Sequence, residues 1–194
     1  MSRARRSPAG LPDDLEALDR CAVMGVLNVT ADSFSDGGRY LDAGRAVDHG
    51  LRMAADGADL VDVGGESTRP GADRVPADEE AARVVPVVRA LVEQGVRVSI
   101  DTMRASTARA AVEAGACIVN DVSGGLADPD MLLAVADLGT PYIAMHWRGH
   151  SDRMTELTHY DDVVHDVVAE LAQRVAAAES AGISLDRVVV DPGL

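Results

Sequence analysis

Six residues suited to chemistry recur at the same kind of place in this chain. Asn28, Gly64, Asp101, Asn120, His146 and Asp191 each fall at or just beyond the end of a short apolar run. Carboxylates and amides repeated at such points supply hydrogen-bonding groups that converge if the runs end on a common rim. Two longer polar stretches accompany them. Residues 28–38 carry one aromatic, Phe34, and close on Gly37 and Gly38, which permit backbone angles other residues avoid. Residues 64–71 carry Arg69, whose planar fork of donors suits an anion.

The elements that must hold these residues are legible in outline. The β-like runs are 22–27, 60–63, 96–100, 117–119, 142–145 and 187–190, several of them apolar without alternation, as strands buried on both faces should be. Helical patterns cover 43–56, 78–93, 103–114, 129–138 and 161–181. Gly57, Gly95, Gly115, Gly139 and Gly182 follow them closely, where a left-handed residue commonly ends a helix. Asp128 before Pro129 reads as an N-cap with proline in the first turn, Asp78 opens an acidic first turn, and Pro86 is expected to kink its helix. Strict alternation of strand and helix implies a parallel sheet with right-handed crossovers. Polar residues at the end of all six runs favour a βα-barrel, whose rim collects groups from many strands, over a doubly wound sheet with one switch point. No glycine-rich dinucleotide fingerprint follows the first run.

Composition sets the outer limits. The chain has 194 residues, 47% of them hydrophobic, enough for one sizeable core. Residues 1–20 read as a flexible tail and 21–194 as one barrel-type domain. No apolar run is long enough to span a bilayer and no signal peptide is evident, so a cytoplasmic address is expected. A net charge of −14 argues against nucleic acid and anionic membranes as partners, while leaving room for a small anionic substrate at a local site. All eighteen basic residues are arginine. Cys21 and Cys117 stand far apart without companions at metal-ligand spacing, and are expected to be reduced, buried thiols.

The segments Met24-Gly-Val-Leu-Asn28-Val-Thr30 with Asp32-Ser-Phe-Ser-Asp36-Gly-Gly38, and Gly57-Ala-Asp-Leu-Val-Asp62-Val-Gly-Gly-Glu-Ser-Thr-Arg69-Pro70, resemble the two signature segments of the dihydropteroate synthases. Ser99-Ile-Asp101-Thr102, Val119-Asn120-Asp121-Val-Ser-Gly-Gly125, Met145-His146 and Asp191-Pro-Gly193 continue the match in order, so it covers residues 22–194. Ala31 departs from it, where many relatives have proline. The resemblance implies an α/β (β/α)8 TIM barrel, here truncated after about the sixth strand. It implies joining of a dihydropterin pyrophosphate to p-aminobenzoate with release of pyrophosphate.

By the same resemblance Asp191, Asp101 and Asn120 would read the pterin ring, with Met145 and Val122 against its faces. Asn28 would contact Mg²⁺, and Thr68 and Arg69 would meet the pyrophosphate substrate. Asp36 would stabilise the cation-like methylene carbon, with Asp101 as a second catalytic carboxylate, and Phe34 and Pro70 would wall the aminobenzoate. A homodimer is implied for the full-length form. The family continues beyond this chain with a lysine and an Arg-x-His pair absent here, so the 194 residues alone are expected to fold poorly and to show negligible turnover.

Blander readings stand beside these. Any single Asn or Asp at a strand end commonly caps a helix or fixes a turn. Glu66 and Asp62 read as groups that order their neighbours, since buried acids need partners. His146 lacks the companions of a metal ligand, and His49, His159 and His165 read as solvated surface. Two other functions compete: a pterin-dependent methyltransferase, which has no pyrophosphate to eject, and a non-catalytic pterin-binding paralogue.

Overall fold

The structure is a computed structural model that describes residues 7–30, 39–66, 75–150 and 157–193. Six strands form one sheet: β1 (Met24–Asn28), β2 (Leu60–Gly64), β3 (Val98–Asp101), β4 (Ile118–Asp121), β5 (Tyr142–Met145) and β6 (Val188–Asp191). Their spatial order is their chain order and every pair is parallel. No strand order reverses, so there is no switch point, and the barrel reading of the sequence is the one the topology follows.

Between strands lie α2 (Arg39–Ala55), α3 (Ala77–Glu93), α4 (Ala105–Glu113), α5 (Met131–Leu138) and α6 (Val163–Ser180), after a single turn α1 (Asp13–Glu16). The helices pack on one side of the sheet because their apolar residues recur at helical spacing. In α3, Val84, Val87, Val88 and Leu91 are all fully buried. They meet Val61, Val63, Val98 and Ile100 from β2 and β3 in one continuous core. Helices α2 and α3 approach so closely that a side chain on Gly50 would lie 2.8 Å from Leu91 Cδ2. Pro86 sits inside α3, which continues through it to Glu93. Gly139 ends α5 in the left-handed conformation, φ 67°.

Two expectations need correction. Residues 7–20 are not a loose tail. Leu15 of α1 is buried against Leu60 and Ile118, with Leu11, Leu18 and Ile143 around them, and so plugs the sheet at the N-terminal ends of the strands. Asp14 pairs with Arg97, and Arg20 grips Asp59 through two bonds of 2.5 and 2.7 Å. Leu11, Leu15 and Leu18 stand at i, i+4 and i+7, a periodicity the sequence already held. Cys21 is exposed rather than buried, and Cys117 is half-buried, with burial pushing its thiol pKa up. Asp128 does what its sequence position suggested, Oδ1 accepting from the backbone N–H of Asp130 at 2.9 Å in the turn that leads into α5, while Oδ2 accepts from the backbone N–H of Ala105, the first residue of α4, at 2.8 Å. Asp162 is the side-chain N-cap of α6, accepting from Val164 and His165.

Among the described residues, β1 and β6 each pair on one side only. Val26 in β1 is 57% exposed, whereas all five residues of β2 are buried. No helix among the described residues is long and apolar enough to cross a membrane.

Candidate functional site

Register decides which side chains share a face. Asn28, Gly64, Asp101 and Asn120 are successive partners across β1 to β4, and Asn120 continues to Ile143 and Val189. One pleat further on, Met145 pairs with Asp191. Partners across a parallel ladder and residues two apart along a strand lie on one face. Asn28, Asp101, Asn120, Met145 and Asp191 therefore stand on the face away from the helices, at the C-terminal ends of their strands. One pleat below them Asp62 and Ser99 share that face. Phe34, Asp36, Thr68 and Arg69 lie outside the described residues.

The polar groups on this face are held by one another. Asn120 Nδ2 donates to Asp62 Oδ2 at 2.9 Å, so Asp62 turns the amide and leaves its oxygen for another donor. Asp62 is 3% exposed, and among the described residues neither its Oδ1 nor the Ser99 hydroxyl in the next strand makes a hydrogen bond of ordinary geometry. Burial raises the Asp62 pKa, with the nearby Ser99 hydroxyl and Asn120 amide pulling the other way. Asp101 lies against Gly64, where an added Cβ would come within 3.1 Å of Oδ2. Its pKa is raised well above the usual carboxylate range, first by burial and then by the charges of Asp62, Glu80, Asp121 and Glu66. The rim thus holds a carboxyl that gains from any ligand bringing N–H donors or positive charge. Asp191 already accepts from its own turn, Gly193 N to Oδ1 at 2.8 Å, leaving its other oxygen for a ligand.

Three further networks brace the rim. Asp121 faces the helices rather than the mouth, since it neighbours Asn120 in the strand. It accepts from Ser123 N and Oγ, Gly125 N and Tyr142 Oη at 2.6 to 2.9 Å, fixing the turn after β4. Burial pushes its carboxyl pKa up, those four donors lower it, and the Tyr142 hydroxyl is pushed up in turn. Beyond β5, His146 Nε2 meets Glu170 Oε2 at 2.7 Å, and Arg148 grips Glu170 while lying 3.8 Å over the Tyr160 ring. Arg148 first, then His146, holds the Glu170 carboxyl below its usual range. The third network joins Glu66, Glu80, Arg104 and two threonines.

A family model described as pterin binding enzyme matches residues 24–194. The chain belongs to the pterin binding enzyme family. A dihydropteroate synthase of Mycobacterium leprae is 57% identical over 173 residues, which are 89% of this chain and 61% of that protein. The solved Xanthomonas albilineans dihydropteroate synthase with 4-aminobenzoic acid superposes with a TM-score of 0.82 at 52% identity, covering 90% of this chain and 62% of that one. A structure of dihydropteroate synthase from the same organism in complex with 7,8-dihydropteroate gives 0.78 at 47% identity, covering 91% and 62%. The chain thus spans about three-fifths of the length of these relatives. Its six strands are the parallel α/β arrangement of the barrel-type members of the pterin binding family.

Within that family frame, sequence reasoning missed Glu80, Arg104 and Glu170. Glu80 sits in the acidic first turn of α3 and reads as one solvated acid among three, yet it is 1% exposed. Nothing in its spacing marks it. Asp121 was legible in part, because Asp two residues before Ser is a turn-forming pattern. Among the described residues no group of three His, Cys, Asp or Glu gathers to hold a metal.

Proposed function

We propose that the protein is a dihydropteroate synthase, condensing 6-hydroxymethyl-7,8-dihydropterin pyrophosphate with p-aminobenzoate to 7,8-dihydropteroate and pyrophosphate. The observation that carries the reading is the shared face of Asp101, Asn120, Met145 and Asp191, with Asp62 holding the Asn120 amide. A flat amino-pyrimidinone edge offers adjacent N–H donors, and an array of carboxyl and amide oxygens in one plane accepts them and rejects heterocycles that lack them. Met145 supplies an apolar surface for the ring face.

The raised pKa of Asp101 gives this array a chemical role. Ligand N–H donors favour its ionised form, and so does positive charge growing on the pterin methylene carbon as the C–O bond to pyrophosphate breaks and the electron pair leaves with it. The amine nitrogen of p-aminobenzoate then forms the new C–N bond and gives up a proton. As a neutral aromatic amine, it needs no strong base beforehand. In this reading Asp36 adds a second carboxylate, Phe34 walls the aminobenzoate, and Thr68 and Arg69 meet the pyrophosphate.

Mg²⁺ belongs to the proposal, with Asn28 as its protein ligand. Asn28 is exposed at the end of β1 and offers a neutral oxygen, which suits an ion that takes most of its ligands from substrate phosphates and water. When bound, it would neutralise charge on the departing pyrophosphate. A homodimer is likewise proposed, and light scattering on the purified protein tests it.

The primary test is binding, which reads the shared face directly. Saturable binding of 7,8-dihydropteroate, weakened by Asp62→Ala and Asp101→Asn, supports the reading. No binding of 7,8-dihydropteroate or of the pterin pyrophosphate with Mg²⁺ by a protein with a cooperative melt overturns it.

A further inference from the structure

Arg104 occupies the N-cap position of α4, three residues beyond the rim carboxyl Asp101, yet its side chain is only 15% exposed. Its Nη1 donates to Glu66 Oε2 at 2.8 Å and to Glu80 Oε2 at 2.6 Å, and its Nη2 donates to the carbonyl of Val75. Val75 N–H donates in turn to Glu66 Oε2 at 3.3 Å. Glu80 is locked from the other side by the hydroxyls of Thr102, 2.7 Å, and Thr107, 3.0 Å. The Thr102 hydroxyl also accepts from the Arg104 backbone N–H. One guanidinium therefore joins the residue that leaves β2, the residue that leads into α3, α3 itself and the start of α4.

We propose that Arg104 is a positioning residue of the candidate site. It fixes Glu66 and Val75, which bracket the segment carrying Thr68 and Arg69, against the strand end that bears Asp101. The consequence for ligand binding rests on the synthase reading above; the positional claim does not. The guanidinium reaches two carboxylates from Nη1 and a carbonyl from Nη2, a span between two fixed nitrogens that the single ammonium nitrogen of a lysine lacks.

Arg104→Gln leaves Glu80 buried without its cation and is expected to lower Tm strongly, so Arg104→Lys is the informative variant. Its ammonium still compensates Glu80 but cannot also hold Glu66 and Val75. In the 194-residue protein, amide hydrogen exchange should quicken roughly tenfold at Val75, the cost of about one lost hydrogen bond. The ladder amides of Val61 and Val119 should exchange at the parent rate. Dihydropteroate affinity should fall by a similar factor. Unchanged exchange at Val75 in Arg104→Lys overturns the proposal, as does acceleration spread evenly over the sheet in step with a lowered Tm, which is the signature of a stability role only. If the parent protein binds no dihydropteroate, the synthase reading fails while the exchange result at Val75 still decides the positioning of these residues.

Discussion

From β2 to β4 the two faces of the sheet obey different rules. Towards the helices stand Val61, Val63, Val98, Ile100 and Val119, all fully buried. On the opposite face the same strands carry Asp62, Ser99, Asp101 and Asn120, two of whose buried polar atoms lack partners among the described residues. The helix face has its packing partners next in sequence, since each helix folds back over the strand it follows. The inner face has no such local partner. At its N-terminal end Leu15 comes in from α1 to cover Leu60 and Ile118, and at its C-terminal end the polar row is left for something else to meet. Stability is therefore concentrated on one face and recognition on the other, so the site can carry unfavourable groups while the core beneath it stays intact.

Substitutions that exchange the weight of the two faces test this division. The largest effect is expected for Leu91→Ala in α3, fully buried and pressed against Gly50, which should cost about 2–5 kcal/mol in denaturant unfolding. Tyr142→Phe removes a donor from buried Asp121 and should cost about 1–3 kcal/mol in the same measurement, while leaving dihydropteroate affinity nearly unchanged because Asp121 faces the helices.

Asp101→Asn should behave oppositely and depend on pH. The folded-state pKa of Asp101 lies above its unfolded value, so its contribution is fully present below the ordinary carboxylate range and is lost as pH rises through the raised pKa. The variant should therefore melt higher than the parent at about pH 7, lose that advantage near pH 4, and bind dihydropteroate worse throughout. The exposed Arg20–Asp59 pair runs the other way: Arg20, with help from the Val23 N–H, holds Asp59 at about 2, so its small contribution is present above the ordinary range and fades as pH falls towards that value. The smallest effect is expected for Val26→Ala on the inner face of β1, within about 0.5 kcal/mol of the parent. If Val26→Ala cost as much as Leu91→Ala, the inner face would be packed as a core and the division would fail.

Much of this protein is determined by local sequence. Strand and helix alternation, the apolar spacing of Val84, Val87, Val88 and Leu91, and the glycines after the helices are short-range signals that act within a turn or two. They suffice to set the parallel α/β class and to put Asn28, Asp101, Asn120 and Asp191 at strand ends. The motifs containing Asp36 and Arg69 point to the family on their own. Pairings across long stretches of chain were decided only in three dimensions. Glu80 and Arg104 are 24 residues apart, Asp62 and Asn120 are 58 apart, and Asp14 reaches Arg97 over 83. Register also sends Asn120 to the mouth and its neighbour Asp121 to the core, two adjacent acidic or amide residues that composition cannot separate. A side chain's partner across the sheet depends on strand order and pleat, which no local spacing encodes; burial in that arrangement, and then the acids it brings near, raise the Asp101 pKa, and Asp62 holds the Asn120 amide in place.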